Sequence, residues 1–128
     1  MTVDIWLGTF PSQKRLDEYL EESYDDDASA LSEFARDMNE SFYDHDFFES
    51  SFHEAPTEDL GKILMLHLLA PSGIEVVVAD FKRAPKPFNT VLLMWNEDNY
   101  LQVNNPTSVQ KEGVQLRYLG RFDCAFAT

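Results

Sequence analysis

The six residues at 90–95, from threonine to tryptophan, constrain the fold of this chain more than any other segment. They are almost wholly apolar and have the length of a strand, which predicts a central strand of a sheet. Two more strands are predicted at 114–119 and 122–126, separated by a turn at Gly120-Arg121. Strands joined by so short a turn pair antiparallel, which argues against a parallel, doubly wound sheet.

The first residues predict another strand. Val3, Ile5 and Leu7 alternate with polar residues and with Trp6, so the aliphatic row and the tryptophan should lie on opposite faces. Gly8 should end this strand.

Helical patterns fill the middle of the chain. Ser12 is the predicted N-cap of a helix to about residue 23, whose outer side carries the acidic residues 17, 18, 21 and 22. A second helix is predicted at 29–39. Thr57 should cap a third helix to about residue 69, so apolar that most of its circumference should be buried. Ser72 and Glu75 have the spacing of a capping box and predict a fourth helix to about residue 84.

The segment 42–54 fits either a helix or a strand, and its second half favours a strand. The order of strand, helices and strands predicts an α+β fold. We expect a mainly antiparallel sheet, formed by the N-terminal strand plus the C-terminal strands and packed with about four helices. A chain of 128 residues suits one domain over residues 1–128.

Acidic residues are concentrated in the first sixty positions, where seventeen acidic side chains stand against three basic ones. Residues 61–128 carry six acidic and seven basic side chains. The 44% hydrophobic content is too high for a disordered acidic tail, so the charge belongs to a folded domain. Such a field attracts cationic surfaces and repels nucleic acid and anionic lipid. We therefore expect a basic protein partner, with no direct binding of nucleic acid or membrane.

The single cysteine, Cys124, cannot form an internal disulfide, which suits a reducing compartment. The sequence shows no leader pattern and no apolar run of membrane-spanning length, so we expect a cytoplasmic protein. Cys124 and His67 both stand among apolar neighbours. We interpret both as buried structural residues.

The densest polar cluster runs from Tyr43 to Asp46 and is followed by Glu49 and His53. Its spacing fits no metal signature, and a solvated acidic loop explains it more simply. No nucleophile, phosphate loop or triad accompanies the carboxylates, so we expect no enzymatic activity and no cofactor. Aromatic residues interleave with these acids. This mixture suits a protein interface, and the alternative is an aromatic core beneath a solvated face.

Seven segments together resemble the immunity protein 22 family of bacterial polymorphic toxin systems. They are residues 3–10 (VDIWLGTF), 16–20 (LDEYL), 24–27 (YDDD), 32–37 (SEFARD), 43–49 (YDHDFFE), 89–95 (NTVLLMW) and 116–122 (LRYLGRF). The resemblance spans most of the chain and is most specific in the first fifty residues. Between residues 61 and 84 the chain is more apolar than the resemblance leads us to expect.

This resemblance implies a cytoplasmic antidote that binds a toxin domain and neutralises it by occlusion, without catalysis. Such toxins are frequently nucleases with cationic clefts, which the acidic first half would complement. The alternative is an acidic adaptor that mimics nucleic acid and binds a basic protein of the host. The residues expected to bind the partner are Asp25, Asp26, Asp27, Tyr43, Asp44, Asp46 and Glu49.

Overall fold

The computed structural model describes residues 1–23, 32–97 and 100–127. Five strands in these ranges form one antiparallel sheet in the order β2-β3-β1-β5-β4, which confirms the predicted α+β fold. The strands are β1 (Thr2–Thr9), β2 (Phe48–Thr57), β3 (Phe88–Asn96), β4 (Val109–Lys111) and β5 (Val114–Asp123). The helices are α1 (Gln13–Leu20), α2 (Glu33–Asp37), α3 (Leu60–Leu64) and α4 (Pro71–Phe81), with a single 3-10 turn at His45–Phe47.

Strand β1 lies at the centre of the sheet, between β3 and β5. Its Val3, Ile5 and Leu7 pack into a core with α3 and α4, whereas Trp6 packs into a second core with α1 and α2. The predicted division of these side chains between two faces is therefore confirmed. Helices cover both faces of the sheet, so the molecule has three layers.

The first helical layer follows the predicted caps. The Ser12 hydroxyl accepts a hydrogen bond from the Arg15 N–H, and the Ser32 hydroxyl accepts one from the Ala35 N–H. Helix α1 ends at Leu20, three residues before its predicted end. The second helix, predicted from residue 29, begins after Ser32, and its first predicted residues lie outside the described ranges.

The second helical layer differs from its prediction in two respects. The cap of α3 is Asp59 rather than Thr57, and α3 ends at Leu64. The apolar residues beyond its end are not mostly buried, because Met65, Leu66 and Leu68 are 74%, 70% and 54% exposed. Apolar content suggested burial all round, but these residues follow the end of the short α3 and lie at the surface.

The predicted capping box at Ser72 and Glu75 is wrong, although the helix it was meant to start is present. Helix α4 begins two residues earlier, with Ala70 as N-cap and Pro71 in the first helical position. Proline suits that position because its missing N–H would have no intrahelical partner there. The Ala70 carbonyl accepts from the Gly73 and Ile74 N–H groups, and no described side chain caps this end of the helix.

The predicted turn at Gly120-Arg121 is also wrong, because β5 runs unbroken from Val114 to Asp123. Gly120 has a φ of +153° and stands opposite Ile5, where the register between β1 and β5 shifts. A glycine in a strand marks such a bulge as readily as a turn. The hairpin lies earlier, between β4 and β5, where Gly113 has a φ of +76°.

The ambiguous segment 42–54 resolves into the 3-10 turn followed by β2, so the preference for a strand in its second half is confirmed. Strand β2 forms one edge of the sheet and pairs with β3. In the part of the chain that the structure describes, no helix is long and apolar enough to cross a membrane.

Candidate partner-binding face

The charge asymmetry of the sequence becomes an asymmetry between the two helical layers. Among the described residues of the first layer, at 10–23 and 32–47, nine side chains are acidic and three are basic. The second layer, at 58–86, carries four of each sign. One side of the sheet is therefore strongly negative and the other side is balanced.

Helix α1 supplies much of the negative side. Its inner stripe buries Leu16 and Tyr19 and leaves Asp17 and Glu18 exposed, and Glu21, directly after the helix, is exposed as well. These carboxylates line a shallow depression that reaches Ser50 of β2. The outer side of α1 thus adjoins β2, which is an edge strand of the sheet.

The 3-10 turn continues this surface. The His45 ring lies between two carboxylates, with Nδ1 3.4 Å from Glu22 Oε1 and Nε2 3.4 Å from Asp46 Oδ1. This contact joins the end of α1 to the cluster that the sequence singled out. We call the combined surface the acidic face and define it by Asp17, Glu18, Glu21, Glu22, Asp44 and Asp46.

Asp44 and Asp46 have different roles in this face. The Asp44 carboxylate accepts a hydrogen bond from the Asp46 N–H, and the Asp44 N–H donates to the Gln102 side chain. Asp44 therefore caps the 3-10 turn and is partly buried. The Asp46 side chain is 80% exposed, so its charge is available to a partner.

Tyr43 lies in the core and not on the acidic face. Its side chain is buried, its hydroxyl lies 3.2 Å from the Ser32 hydroxyl, and its ring packs against Phe34 and Phe48. The neighbouring Phe42 is the exposed aromatic residue of this segment. Sequence alone left open whether the aromatic residues belong to the core or to an interface. Tyr43 is buried in the core.

Glu49 makes its contacts within the protein. Its carboxylate accepts hydrogen bonds from Trp95 Nε1 and the Leu68 N–H, and lies 3.1 Å from His67 Nδ1. Burial tends to raise the pKa of Glu49, but the hydrogen bonds from His67 and Trp95 outweigh it, and the pKa is lowered. Since His67 also bonds Ser51, this cluster joins β2 to the segment after α3, and His67 is the structural residue that was expected.

A second group of acids, Glu33 and Asp37 of α2, is paired with cations from α1 and β4. Glu33 accepts two hydrogen bonds from Arg15, and Lys111 of β4 lies 2.7 Å from both Glu33 and Asp37. The Arg15 hydrogen bonds, with help from Lys111, lower the pKa of Glu33 to about 2. The Tyr19 hydroxyl donates to Asp37, and burial together with this bond raises the tyrosine pKa.

This network connects α1, α2 and β4. Its carboxylates were included in the acidic excess from which a partner-attracting surface was predicted, but they pair within the protein. No local signal identifies the network, because Arg15 and Glu33 are 18 residues apart and Lys111 comes from the far end of the chain. Asp4 is a similar case. It is fully buried and receives hydrogen bonds from Arg121, Tyr118 and Asn96.

The remaining predicted contacts, Asp25, Asp26 and Asp27, lie outside the described residues. Of the four that are described, Asp44 and Asp46 stand together beside the acids of α1. The other two, Tyr43 and Glu49, make internal contacts. Among the described residues, no group of three or more His, Cys, Asp or Glu side chains could hold a metal ion.

Comparison with known proteins identifies one family. The family model described as Immunity protein 22 matches residues 3–124. No curated protein and no solved structure matches the chain.

Proposed function

The chain belongs to the Immunity protein 22 family, and from this premise we propose that it is a cytoplasmic antidote whose acidic face occludes a basic surface of its toxin. Membership of an immunity family implies that a cognate toxin is the partner. The proposal adds the charge of that toxin, the face that meets it and a mechanism that involves no catalysis.

The observation that carries the proposal is the difference between the two helical layers. A folded domain with net charge −13 repels itself, and that cost falls if charges are spread over the whole surface. Among the described residues of the two helical layers, the first has six more acidic than basic side chains, and the second has equal numbers of both. A one-sided negative field steers a cationic protein towards one face and raises the rate of productive encounter.

The ion-pair network of Arg15, Glu33, Asp37 and Lys111 supports the same proposal. Arg15 and Lys111 neutralise Glu33 and Asp37, so these two carboxylates are already paired within the protein. The exposed acids of α1 are therefore carried on a helix fixed to α2 and β4. A rigid face loses less conformational freedom on binding than a flexible one.

Within this proposal, Asp44 and Asp46 are contacts for toxin arginine or lysine side chains, and the acids of α1 extend the same surface. Asp25, Asp26 and Asp27 connect α1 to α2 in the sequence and remain part of the proposed interface. An acidic residue at the rim of the interface mainly speeds association. Removing a carboxylate that pairs with a desolvated cation leaves that cation unpaired and weakens binding by about 2 to 5 kcal/mol.

The test uses two double variants with equal changes in charge. Glu18→Lys with Asp46→Lys reverses two exposed acids of the acidic face, and Glu58→Lys with Glu75→Lys reverses two exposed acids of the second layer. Each variant is co-expressed with the toxin domain encoded beside it. Cell survival and the binding constant at low and high salt are measured, and circular dichroism checks folding.

We expect the acidic-face variant to lose protection and to bind about tenfold more weakly or worse, with slower association. The second-layer variant should still protect. Equal protection by both variants would place the interface elsewhere, and selective loss in the second-layer variant would reverse the assignment of the two faces. Asp44→Asn keeps the oxygen that caps the 3-10 turn and removes only the charge, so it separates binding from folding at that position.

A further inference from the structure

A cleft of about 290 Å³ opens where β1 ends, beside the first residues of β3 and β5. Its volume is at the lower limit of ordinary ligand pockets, so it suits a small molecule or a single side chain. Its apolar lining residues are Leu7 and Phe88 from the α4 side of the sheet and Leu116 and Val109 from the other side. It shares no residue with the acidic face.

The charge of this cleft is opposite to that of the chain as a whole. Lys86 and Arg117 are among its lining residues, and among the described lining residues there is no Asp or Glu. The protein has 23 acidic and 10 basic side chains. The cleft therefore combines two cations and an apolar lining, with no carboxylate among its described lining residues. The acidic composition of the chain does not predict such a positive site.

Arg117 is held in place while most of its donors stay available. One Nη1–H donates to the Ala84 carbonyl at 2.6 Å, and the guanidinium lies 6.0 Å from the centre of the Phe81 ring. A guanidinium has five N–H donors, and in the described part of the chain this is the one hydrogen bond that Arg117 makes through them. The remaining donors can form the planar fork that matches a carboxylate.

We propose that this cleft binds a small organic carboxylate, with its apolar body beside Leu7 and Phe88 and its anionic group held by Arg117 and Lys86. A single negative charge suits the site better than a dianion, because only two cations offset the strongly negative chain around it. The same chemistry is present in a free carboxylic acid and in the C-terminus of a peptide that ends in an apolar residue. This proposal is independent of the toxin-binding function.

The test is a titration of the isotope-labelled protein followed by two-dimensional amide NMR. One arm uses 3-phenylpropionate with 3-phenylpropionamide as its neutral control. The other uses N-acetyl-alanyl-leucine with its C-terminal amide as control. We expect saturable shifts at Gly8, Thr9 and Gln115 with at least one acid, and binding about fivefold weaker or worse with the matching amide.

Three variants test the assigned contacts. Lys86→Gln should weaken carboxylate binding about threefold, as for an exposed charge, and Lys62→Gln on α3 should leave it unchanged. Arg117→Gln should weaken it about tenfold. Its folding is checked separately because the Ala84 contact is lost.

Binding of the free acid alone, or of the peptide alone, supports the site and identifies the source of the carboxylate. The proposal is overturned if neither acid shifts these amides or if acid and amide bind equally well. It is also overturned if Lys86→Gln and Lys62→Gln have the same effect. Lys86 is exposed on a loop, so its variant remains informative even if Arg117→Gln does not fold.

Discussion

Replacing Glu33 with glutamine removes the carboxylate that joins Arg15 of α1 to Lys111 of β4. The glutamine keeps the size of the side chain and one oxygen acceptor, so the change acts mainly on charge. We expect α1 and α2 to be held less firmly on the sheet, and the whole protein to be less stable at neutral pH.

The size of the effect follows from the pKa of Glu33. Its ordinary value is 4.5, and in the folded protein it is about 2. At about 1.4 kcal/mol for each pKa unit, this difference corresponds to at most about 3.5 kcal/mol. The side chain is 27% exposed, so solvent screening reduces the expected loss to about 2 kcal/mol.

The pH dependence has a definite sign. Because folding lowers the pKa of Glu33, its stabilisation is fully present above about pH 4.5 and is lost as the pH falls towards 2. The free energy of unfolding of wild type and Glu33→Gln is measured by urea denaturation from pH 7 to pH 2.5. The gap of about 2 kcal/mol at pH 7 should shrink steadily below pH 4.5.

Glu18→Gln is the matched control, since it neutralises an exposed acid of α1. We expect it to change stability by less than about 0.5 kcal/mol. A gap between wild type and Glu33→Gln that stays constant across the whole pH range would refute the reasoning. So would an equal loss in the control.

Two further predictions concern packing and use the same denaturation assay. Gly8→Ala should destabilise the protein by about 1 to 3 kcal/mol, because its Cβ would lie 2.6 Å from the Gln115 carbonyl oxygen. Gly61→Ala in α3 should be neutral or stabilising, since its Cβ would meet nothing closer than 3.5 Å and alanine favours a helix; destabilisation as large as that of Gly8→Ala would contradict this. Leu64→Ala should cost about 2 to 5 kcal/mol, whereas Leu66→Ala should cost less than about 0.5 kcal/mol, and similar losses would show that Leu66 is buried after all.

Local patterns were sufficient for many elements of the fold. Alternation at Val3, Ile5 and Leu7 predicted β1 and its two faces, and the cap at Ser12 placed the start of α1. Each of these signals depends on residues within a few positions of one another. The predictions that failed were the helix cap at Thr57, the capping box at Ser72 and the turn at Gly120. In each case the local sequence signal is compatible with two different structures.

The candidate site was only partly predictable. The exposure of the α1 acids follows from helical spacing, but their contact with the 3-10 turn through Glu22 and His45 does not. Tyr43 and Glu49 share the sequence cluster with Asp44 and Asp46, yet packing turns both into structural contacts. Side chains that are adjacent in the sequence can point in different directions, and only the tertiary structure shows which acidic side chains share a surface.

The amino-acid sequence by itself determined the excess of negative charge, the α+β class and the resemblance to an immunity family. These properties depend on composition and short-range order. The tertiary structure decided which carboxylates are neutralised inside and which remain on one face. It did so because the partners of Glu33, Asp37 and Asp4 come from distant parts of the chain that only folding brings within hydrogen-bonding distance.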